Sequence, residues 1–355
     1  DFAPEHVERV GRFWKAPQVA TRPGLKAVDL FAAVESGDIK ALWIMSTNPV
    51  VSMPDADRVR AALERCELVV VSDCVRDTDT TRCAQILLPA ATWGEKSGSV
   101  TNSERRISRQ RRFLSPPGES RPDWWIVTEV ARRMGYGAAF AYESPAEIFR
   151  EHARLSAFEN DGQRDFDIGG MAALTDDEYD TLQPFQWPRP AGVQPGRLFA
   201  DGRFFTPSGK AQLVPTPPRA PAMLPSAEYP LVLNTGRVRD QWHTMTRTGK
   251  SPRLSGHNPE PFVQLHTLDA ARFGLSVGDL AEVRSAAARI VVRVEIGDAV
   301  TPGEAFVPMH WGSAFASSAR VSALIAPAVD PISGQPELKC APVSVRRYVP
   351  AWFGF

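Results

Sequence analysis

The sequence predicts an α/β domain built on a parallel sheet, followed by a domain of short β-strands. Three observations predict this fold class. Helical and strand patterns alternate between residues 24 and 90, a proline-dense segment covers residues 214–230, and short β-type runs dominate the chain beyond it. A βαβ alternation indicates a parallel sheet, whereas short strands at regular spacing indicate a closed or sandwich-like β domain.

The α/β part is defined by two short apolar runs that are typical of buried strands. ALWIM covers residues 41–45 and LVVVS covers residues 68–72, with a helical pattern, DADRVRAALER, between them. A third run, QILLPA at 85–90, is expected to extend the sheet. Because ligands of parallel sheets bind outside the carboxyl ends of the strands, we expect a site at residues 46–49 and 72–78.

A basic stretch separates this sheet from two further predicted helices. Six basic side chains lie between residues 96 and 112: Lys96, Arg105, Arg106, Arg109, Arg111 and Arg112. Two interpretations stay open, a solvated face or domain contact and a local contact with phosphate. Amphipathic helices are predicted at 122–135 and at 142–155, the second after a Ser-Pro start signal.

The β domain is predicted from five strand-like runs beyond the proline-dense segment. They cover residues 229–236, 262–266, 280–285, 288–297 and 304–311. The turn sequences GLSVGD and DAVTPGE separate the later runs, as expected of a compact all-β domain.

The charge balance argues against large charged partners. Lysine and arginine number 41, and aspartate and glutamate number 41, in 355 residues. No net field therefore recruits nucleic acid or an anionic membrane surface. No apolar run approaches the roughly 20 residues needed to span a bilayer, so we expect neither nucleic acid nor a membrane as a partner.

The cysteines indicate a reducing compartment. Cys66, Cys74, Cys83 and Cys340 are too far apart for a CxxC metal or iron–sulfur site, and they are too few for a disulfide scaffold. Since no leader pattern opens the chain, a cytoplasmic protein is predicted. The sequence begins at Asp1 rather than at methionine, which suggests a fragment or a processed chain.

Polar residues follow both predicted strands of the sheet. Thr47 and Asn48 offer donors for a phosphate or a ribose, although the same letters make an ordinary turn. Ser72 and Asp73 end the second strand. The carboxylate of Asp73 matches the two donors on the edge of guanine, and the alternative is a helix cap for the following segment.

The densest polar and aromatic cluster is TGRVRDQWHT at residues 235–244. Arg237 and Arg239 supply planar donors for phosphate, and Trp242 and His243 supply flat surfaces with one donor each. Buried core is the usual interpretation of a lone Trp–His pair. The surrounding polar donors favour a binding site instead.

The remaining candidates are weaker. His310-Trp311 and the turn-rich segment 330–339 are both compatible with an ordinary surface. No GxSxG, HExxH, P-loop or GxGxxG motif occurs, and the six histidines lack metal-ligand spacing. We therefore expect no metal held by protein side chains alone, and no catalytic residue is assigned.

These strings together resemble the molybdopterin oxidoreductases that carry bis-molybdopterin guanine dinucleotide. The closest likeness is to the carboxy-terminal half of the assimilatory nitrate reductase catalytic subunits. The strings that carry the resemblance run in family order over nearly the entire chain: NPVVSMPD, VVSDCVRDTDT, LPAATWGEKSGSVTNSERR, GESRPDWW, TGRVRDQWHTMTRTG and DPISGQPELK.

The resemblance implies three domains. Residues 1–115 are expected to form a Rossmann-like domain that is truncated at its N-terminal side. Residues 116–225 are expected to form the return segment of a mixed α/β domain with a proline-rich linker. Residues 226–350 are expected to form a double-psi β-barrel that binds the molybdopterin dinucleotide.

The resemblance also implies the cofactor-binding residues. Asn48, Ser72, Asp73, Lys96 and Asp123 match residues that hold one dinucleotide in the family. The matches on the barrel side are Thr235, Gly236, Arg237, Val238, Arg239, Asp240, Gln241, Trp242, His243, Thr244, Ser322 and Lys339. Met245 and Arg247 are further candidates for a position near the molybdenum pocket.

The function that the resemblance implies is the reduction of nitrate to nitrite, with molybdenum carried by the cofactor. Nitrate and an electron-donor protein or reductase subunit are the implied partners. A formate dehydrogenase of the same family and a non-catalytic nucleotide- or pterin-binding module are the alternatives. The family's [4Fe–4S] cysteines and its cysteine ligand to molybdenum have no counterpart here, so the cluster is expected only in an absent N-terminal part, and this chain alone is expected to be inactive.

Overall fold

The computed structural model describes residues 2–193 and 196–351. The described α-helices are α1 (Pro4–Trp14), α2 (Ala27–Ser36), α3 (Pro49–Ser52), α4 (Ala56–Arg65), α5 (Asp123–Ala131), α6 (Pro145–Ala157), α7 (Asp176–Thr181), α8 (Pro252–Ser255) and α9 (Thr267–Arg272). The described strands are β1 (Ala41–Met45), β2 (Leu68–Asp73), β3 (Ile86–Pro89), β4 (Gly98–Thr101), β5 (Arg106–Gln110), β6 (Phe185–Gln186), β7 (Leu231–Gly236), β8 (Phe262–Leu265), β9 (Leu280–Arg284), β10 (Arg289–Ile296), β11 (Glu304–Pro308) and β12 (Ala341–Arg347).

The chain divides into two compact units. The first unit contains Asp1–Gly24 and Pro89–Pro217, and the second contains residues 25–88 and the chain from Pro218 onward. The domain ranges expected from the resemblance include Asp1, Gln194 and Pro195, which lie outside the described residues.

The second unit contains the predicted parallel sheet. β1 and β2 pair in parallel from Ala41 opposite Leu68 to Met45 opposite Ser72, and β3 completes a sheet with the order β1-β2-β3. Buried side chains of the sheet and its helices form one apolar core: Val34, Ile44, Val59, Leu63, Val69, Val71 and Cys83. The prediction of a parallel sheet is therefore confirmed, and Cys83 behaves as a small apolar residue.

The second unit also contains a closed six-stranded barrel with the order β10-β8-β11-β7-β12-β9. β7 pairs in parallel with β11 and β8 with β10, whereas the other neighbours are antiparallel. Every second side chain faces the barrel interior, and these are fully buried: Leu231, Leu233, Val263, Leu265, Ala281, Val283, Val294, Ala305, Val307 and Val343. This period-two burial is what a filled barrel requires, so the predicted β domain is a closed one.

Strand β12 is the barrel strand that the sequence analysis did not predict. Its sequence, APVSVRR, alternates apolar and polar residues, and Ala341, Val343 and Val345 are buried. The signal was present but follows a turn-rich segment with no long apolar run. β12 closes the barrel because it pairs with both β7 and β9.

The basic stretch belongs to an antiparallel sheet of the first unit, with the order β4-β5-β6. Arg109 illustrates how its charges are used. The guanidinium lies 4.0 Å from the ring centre of Tyr179, donates to the Gly98 carbonyl at 2.6 Å and pairs with Asp180 at 2.7 Å. Arg109 is thus committed to the structure of its own unit and is not available to a phosphate.

The two predicted amphipathic helices are also present in the first unit. Ser144 caps α6, since its Oγ accepts a hydrogen bond of 3.3 Å from the backbone N–H of Glu147. α5 ends at Ala131 and continues as a wider turn over Arg132–Tyr136. None of the helices within residues 2–193 and 196–351 combines the length and apolar character needed to cross a bilayer.

Candidate functional site

The loop after β1 meets a loop of the barrel at Asn48. Asn48 is buried, and its Oδ1 accepts a hydrogen bond of 2.6 Å from the fully buried Thr80 hydroxyl. Its Nδ2 donates to Thr244 Oγ1 at 3.1 Å. The carboxyl ends of two parallel strands and the polar loop of the barrel are therefore held together through one amide side chain.

Asp73 is the last residue of β2. Its Oδ1 accepts a hydrogen bond of 2.9 Å from the backbone N–H of Val75, so the carboxylate closes a tight turn. No helix begins within residues 74–80, and the helix-cap alternative is therefore wrong. Burial raises the pKa of Asp73, while the positive charge of Arg247 acts in the opposite direction.

Ser72, the residue before Asp73, fixes the end of β2 through two hydrogen bonds. Its side chain is fully buried, and its Oγ accepts a hydrogen bond of 2.8 Å from the indole Nε1 of Trp43. Its backbone carbonyl accepts from the N–H of Ser46 at 3.1 Å. Ser46 has a positive φ of 57°, so the loop after β1 turns sharply at the strand end before it reaches Asn48.

His310 organises the barrel loop that carries residues 237–244. Its Nδ1 lies 2.6 Å from the carbonyl oxygen of His243, which can only accept, so Nδ1 carries the proton. Its Nε2 accepts a hydrogen bond of 2.9 Å from the N–H of Val238. Since Nδ1 donates and Nε2 accepts, the ring is neutral, and burial lowers the pKa of His310. The surface interpretation of His310-Trp311 is wrong, because both side chains are buried.

Thr235, Gly236 and Lys339 lie together at the end of β7. Thr235 Oγ1 donates to the carbonyl of Leu338 at 2.7 Å, and Lys339 Nζ donates to the carbonyl of Thr235. A Cβ at Gly236 would lie 2.7 Å from the ring of Phe306 and 3.9 Å from Lys339 Nζ. The Thr235 hydroxyl is therefore engaged within the barrel, and Gly236 leaves no room for a side chain at this strand end.

Two cations of this loop have no carboxylate partner among the described residues. The Arg237 guanidinium lies 4.5 Å from the ring centre of Trp242, and Arg247 is close enough to Asp73 and to His243 to shift their pKa values. Both arginines lower the pKa of His243, adding to its burial. A cluster of unpaired positive charge of this kind attracts an anion.

Arg239 and Asp240 are used differently. Arg239 pairs with Asp240 at 3.1 Å, and Asp240 also contacts His257 Nδ1 at 2.6 Å. The Arg239 side chain remains mostly exposed, and exposed pairs of this type are weak. Arg239 can therefore exchange its partner for a phosphate at little cost.

Gln241 and Met245 are buried parts of the same loop. Gln241 Oε1 accepts from Thr248 Oγ1 at 2.7 Å, whereas its buried Nε2 has no acceptor among the described residues. Met245 packs into the barrel core, so it does not reach out towards a ligand as expected. Positive φ values at His243 (44°) and Met245 (60°) make the sharp turns that leave Trp242 half exposed.

Ser322 lies on a short 3-10 helix of the barrel and faces the sheet. Its Oγ donates to the carbonyl of Val51 at 2.5 Å, and the residue is buried. The hydroxyl is thus engaged in joining the barrel to the turn that follows Asn48.

Lys96 and Asp123 belong to the first unit, where they form an ion pair. The Asp123 side chain begins α5, and its second oxygen, Oδ1, is buried without a hydrogen-bond donor in the described part of the chain. Since a buried acceptor is normally satisfied, this oxygen is the one available for a ligand.

Sequence reasoning missed Asp79, the most heavily engaged acid near Asn48. Its carboxylate receives Arg60 and the backbone and hydroxyl of Ser313. A cavity of about 50 Å³ lies beside it, bounded in part by Asn48, Thr244 and Phe315. The run DTDTT at 77–81, shortly after β2, alternates acidic and hydroxyl side chains. This pattern was the signal available in the sequence.

The chemistry of the site is that of binding rather than proton transfer. Unpaired guanidinium groups, one buried amide donor and one carboxylate at a strand end suit a ligand with phosphates and a nucleobase edge. Within the described residues, no group of three or more His, Cys, Asp and Glu side chains is arranged to hold a metal ion.

Comparison with known families matches both parts of the second unit and the start of the first. The family model described as "Molybdopterin oxidoreductase" matches residues 2–133, and the one described as "Molydopterin dinucleotide binding domain" matches residues 231–342. These matches define the class, an oxidoreductase that binds a molybdopterin dinucleotide. The chain belongs to the molybdopterin oxidoreductase family, and its cofactor is bis-molybdopterin guanine dinucleotide with molybdenum.

Individual relatives agree with this assignment. A "Nitrate reductase" from Klebsiella oxytoca is 52% identical over 100% of this chain and 40% of the relative. The "Assimilatory nitrate reductase catalytic subunit" from Bacillus subtilis is 32% identical over 96% of this chain and 47% of the relative. The "F420-dependent formate dehydrogenase subunit alpha" from Methanocaldococcus jannaschii is 33% identical over 88% of this chain and 44% of the relative. The chain thus spans less than half the length of each.

A solved structure shares the fold. Acetylene hydratase from Pelobacter acetylenicus superimposes with a TM-score of 0.70 at 19% identity, over 90% of this chain and 46% of that one. At this identity the likeness concerns the fold alone.

Proposed function

We propose that this chain forms the cofactor-binding part of a molybdenum-dependent nitrate reductase, which reduces nitrate to nitrite and water with two electrons and two protons. The hydrogen bond of 3.1 Å between Asn48 and Thr244 carries the proposal. It joins the strand ends of the parallel sheet to the polar loop of the barrel, where the chemistry for a dinucleotide is concentrated. The identity of 52% to a nitrate reductase supports the choice of substrate.

The residues of this site fit a diphosphate-rich cofactor. Arg237 and Arg247 have no carboxylate partner among the described residues, and the buried Nε2 of Gln241 lacks an acceptor there. A buried donor of that kind calls for a ligand or a water molecule. When bound, the molybdenum and its dithiolene sulfurs supply two-electron oxygen-atom transfer, and the protein supplies binding, orientation and electrostatics.

In this proposal Asp73 selects guanine. Its carboxylate ends β2 at the edge of the sheet where nucleotides bind, and its two oxygens match the N1–H and N2–H donors of guanine. The Val75 N–H holds one oxygen in place at 2.9 Å. Adenine offers no matching pair of donors on that edge and would leave the carboxylate unsatisfied.

The barrel loop binds the phosphates and the pterin. Arg237 and Arg239 offset the pyrophosphate charge, and Lys339 adds a cation at the end of β7. The other contacts that we assign to this side are Thr235, Gly236, Val238, Asp240, Gln241, Trp242, His243 and Thr244. Neutral His310 keeps the loop in shape without adding a charge of its own.

The remaining assigned residues support the site or add single contacts to it. Ser72 and Ser322 hold the turns beside Asp73 and Asn48 through hydrogen bonds of 2.8 and 2.5 Å. We also assign Lys96 and Asp123 to dinucleotide binding, with the unpartnered Oδ1 of Asp123 as the acceptor for the ligand.

The larger assembly follows from the same proposal. Residues 1–115 form a Rossmann-like domain, residues 116–225 a return segment of a mixed α/β domain, and residues 226–350 a barrel of the double-psi type. A [4Fe–4S] cluster in another part of the full-length protein passes electrons from a donor protein or reductase subunit. The four free cysteines support a cytoplasmic location.

Replacing Asp73 with asparagine in the full-length enzyme tests the site. Asparagine keeps the Oδ1 acceptor for Val75 but places an N–H₂ group against the guanine donors, so we expect at least a tenfold loss, about 1.4 kcal/mol, in retained guanine nucleotide and molybdenum. Both are measured per polypeptide after gel filtration. The matched control is Asp38→Asn, an exposed acid of the same unit, which should retain both. Full retention in the Asp73 variant would sink the assignment.

A formate dehydrogenase is the second candidate, since such a relative is 33% identical to this chain. Assaying the complete enzyme with nitrate and with formate separates the two. We expect turnover of nitrate and none of formate, and the reverse result would replace the proposal. A non-catalytic binding module predicts a cofactor-loaded protein that turns over neither.

A further inference from the structure

Asp79 is a buried acid to which the proposed function assigns no role. Its side chain is 2% exposed, yet four donors face it. Arg60 Nη2 lies at 3.0 Å, the backbone N–H of Ser313 at 3.0 Å and Arg320 Nη1 at 3.6 Å, and the Ser313 hydroxyl donates as well. A buried carboxylate requires such partners, because an unpaired polar group in the interior is costly.

These donors come from distant parts of the second unit. Asp79 follows β2, Arg60 lies on α4, and Ser313 and Arg320 lie in the segment after β11. Arg320 also pairs with Asp57, and burial lowers the pKa of Arg320. The carboxylate of Asp79 therefore joins the loop after β2 to the segment after β11 through its hydrogen bonds and ion pairs.

The approach of the two segments is too close for a side chain. A Cβ at Gly312 would lie 2.5 Å from Asp79 Oδ2 and 2.8 Å from a methyl group of Val51. Gly312, Ala314 and Phe315, the neighbours of Ser313, line one part of the cavity of about 50 Å³, and Asn48 and Thr244 line another. Thr80, the neighbour of Asp79, is the residue that holds Asn48.

We propose that Asp79 is a positioning residue, which holds the loop Gly312–Phe315 in place and thereby sets the shape of the cavity beside Asn48 and Thr244. It acts through Ser313. The inference rests on the proposed function, because the cavity borders the residues assigned to the dinucleotide.

The test uses the full-length holoenzyme and two readouts besides activity. In Asp79→Asn, the amide of Ser313 loses its charged acceptor, and we expect its hydrogen exchange to rise about 100-fold. We expect the guanine nucleotide to dissociate at least fivefold faster on dilution, which is about 1 kcal/mol. Asp298→Asn, an exposed acid of the barrel, is the matched control and should change neither.

Ser313→Ala keeps the backbone donor and loses only the hydroxyl, so it should fold and show a smaller increase of both rates. In the Asp79→Asn background the same change should add nothing. Additive effects would overturn the inference, as would faster exchange of the Ser313 amide with unchanged nucleotide retention. A wild-type enzyme without guanine nucleotide contradicts the proposed function itself, whereas a loaded wild type and an equally loaded Asp79→Asn contradict the positioning role alone.

Discussion

Replacing His310 with alanine is expected to lower the free energy of unfolding by about 2–4 kcal/mol, because two backbone groups lose their partner and a cavity remains. The groups are the N–H of Val238 and the carbonyl of His243, which the ring joins at 2.9 and 2.6 Å. The side chain is fully buried, so water does not replace it without rearrangement. Urea unfolding of the variant measures the loss.

The same residue makes stability depend on pH. Burial lowers the pKa of His310 from its ordinary value of 6.5. Below about pH 6.5 the unfolded chain therefore binds a proton that the folded ring refuses, and stability falls by up to about 1.4 kcal/mol per pH unit until the folded pKa is reached. His243 and His152, whose pKa values are also lowered, add to this fall in the wild type.

Comparing unfolding at pH 7.5 and pH 5.5 isolates the contribution of His310. The alanine variant should lose less stability between the two pH values than the wild type does. His257→Ala is the control, since that ring is exposed and its contacts with Asp240 and Arg239 lie at the surface. An unchanged pH dependence in the His310 variant would contradict the neutral, buried ring.

Gly312→Val is expected to destabilise the protein by about 2–3 kcal/mol through overpacking. Even a Cβ at this position would lie 2.5 Å from Asp79 Oδ2 and 2.8 Å from Val51. Asp79 cannot move away easily, because Arg60 and Ser313 hold its carboxylate. The variant should also release the guanine nucleotide faster, since the loop must move away from Asn48 and Thr244.

The matched control is Gly98→Val in β4. A Cβ there meets no atom within 4 Å, and the backbone is that of a strand, which favours a β-branched residue. Thermal unfolding of both variants, with nucleotide content measured alongside, should separate them by several degrees. Equal losses would show that the close approach at Gly312 is not what limits the site.

Local patterns were sufficient for the sheet and most of the barrel. The runs at 41–45 and 68–72 became β1 and β2 in parallel pairing, and five strand-like runs became five of the six barrel strands. These predictions succeeded because an apolar run or a period-two alternation is a property of neighbouring residues. Strand β12 was not predicted, because its alternation of apolar and polar residues is short and begins next to a turn.

The charged and polar side chains were harder to place. Contact with phosphate was one of two interpretations of the basic stretch, the other being a solvated face or domain contact, and Arg109 is engaged by Tyr179, Gly98 and Asp180. Met245 looked available to a ligand and is part of the barrel core. The partners of such side chains are far away in sequence, so their identity cannot be inferred from local composition.

The sequence by itself determined the fold class and the family, and it predicted the segments where we propose that a ligand binds. Only the tertiary structure decided which polar side chains meet: Asn48 and Thr244 are 196 residues apart, and Asp79 and Ser313 are 234 residues apart. The physical reason is that the patterns that predict strands and helices lie in the order of apolar and polar residues along a short stretch of the sequence. Hydrogen bonds and ion pairs instead depend on the geometry that the folded chain brings about.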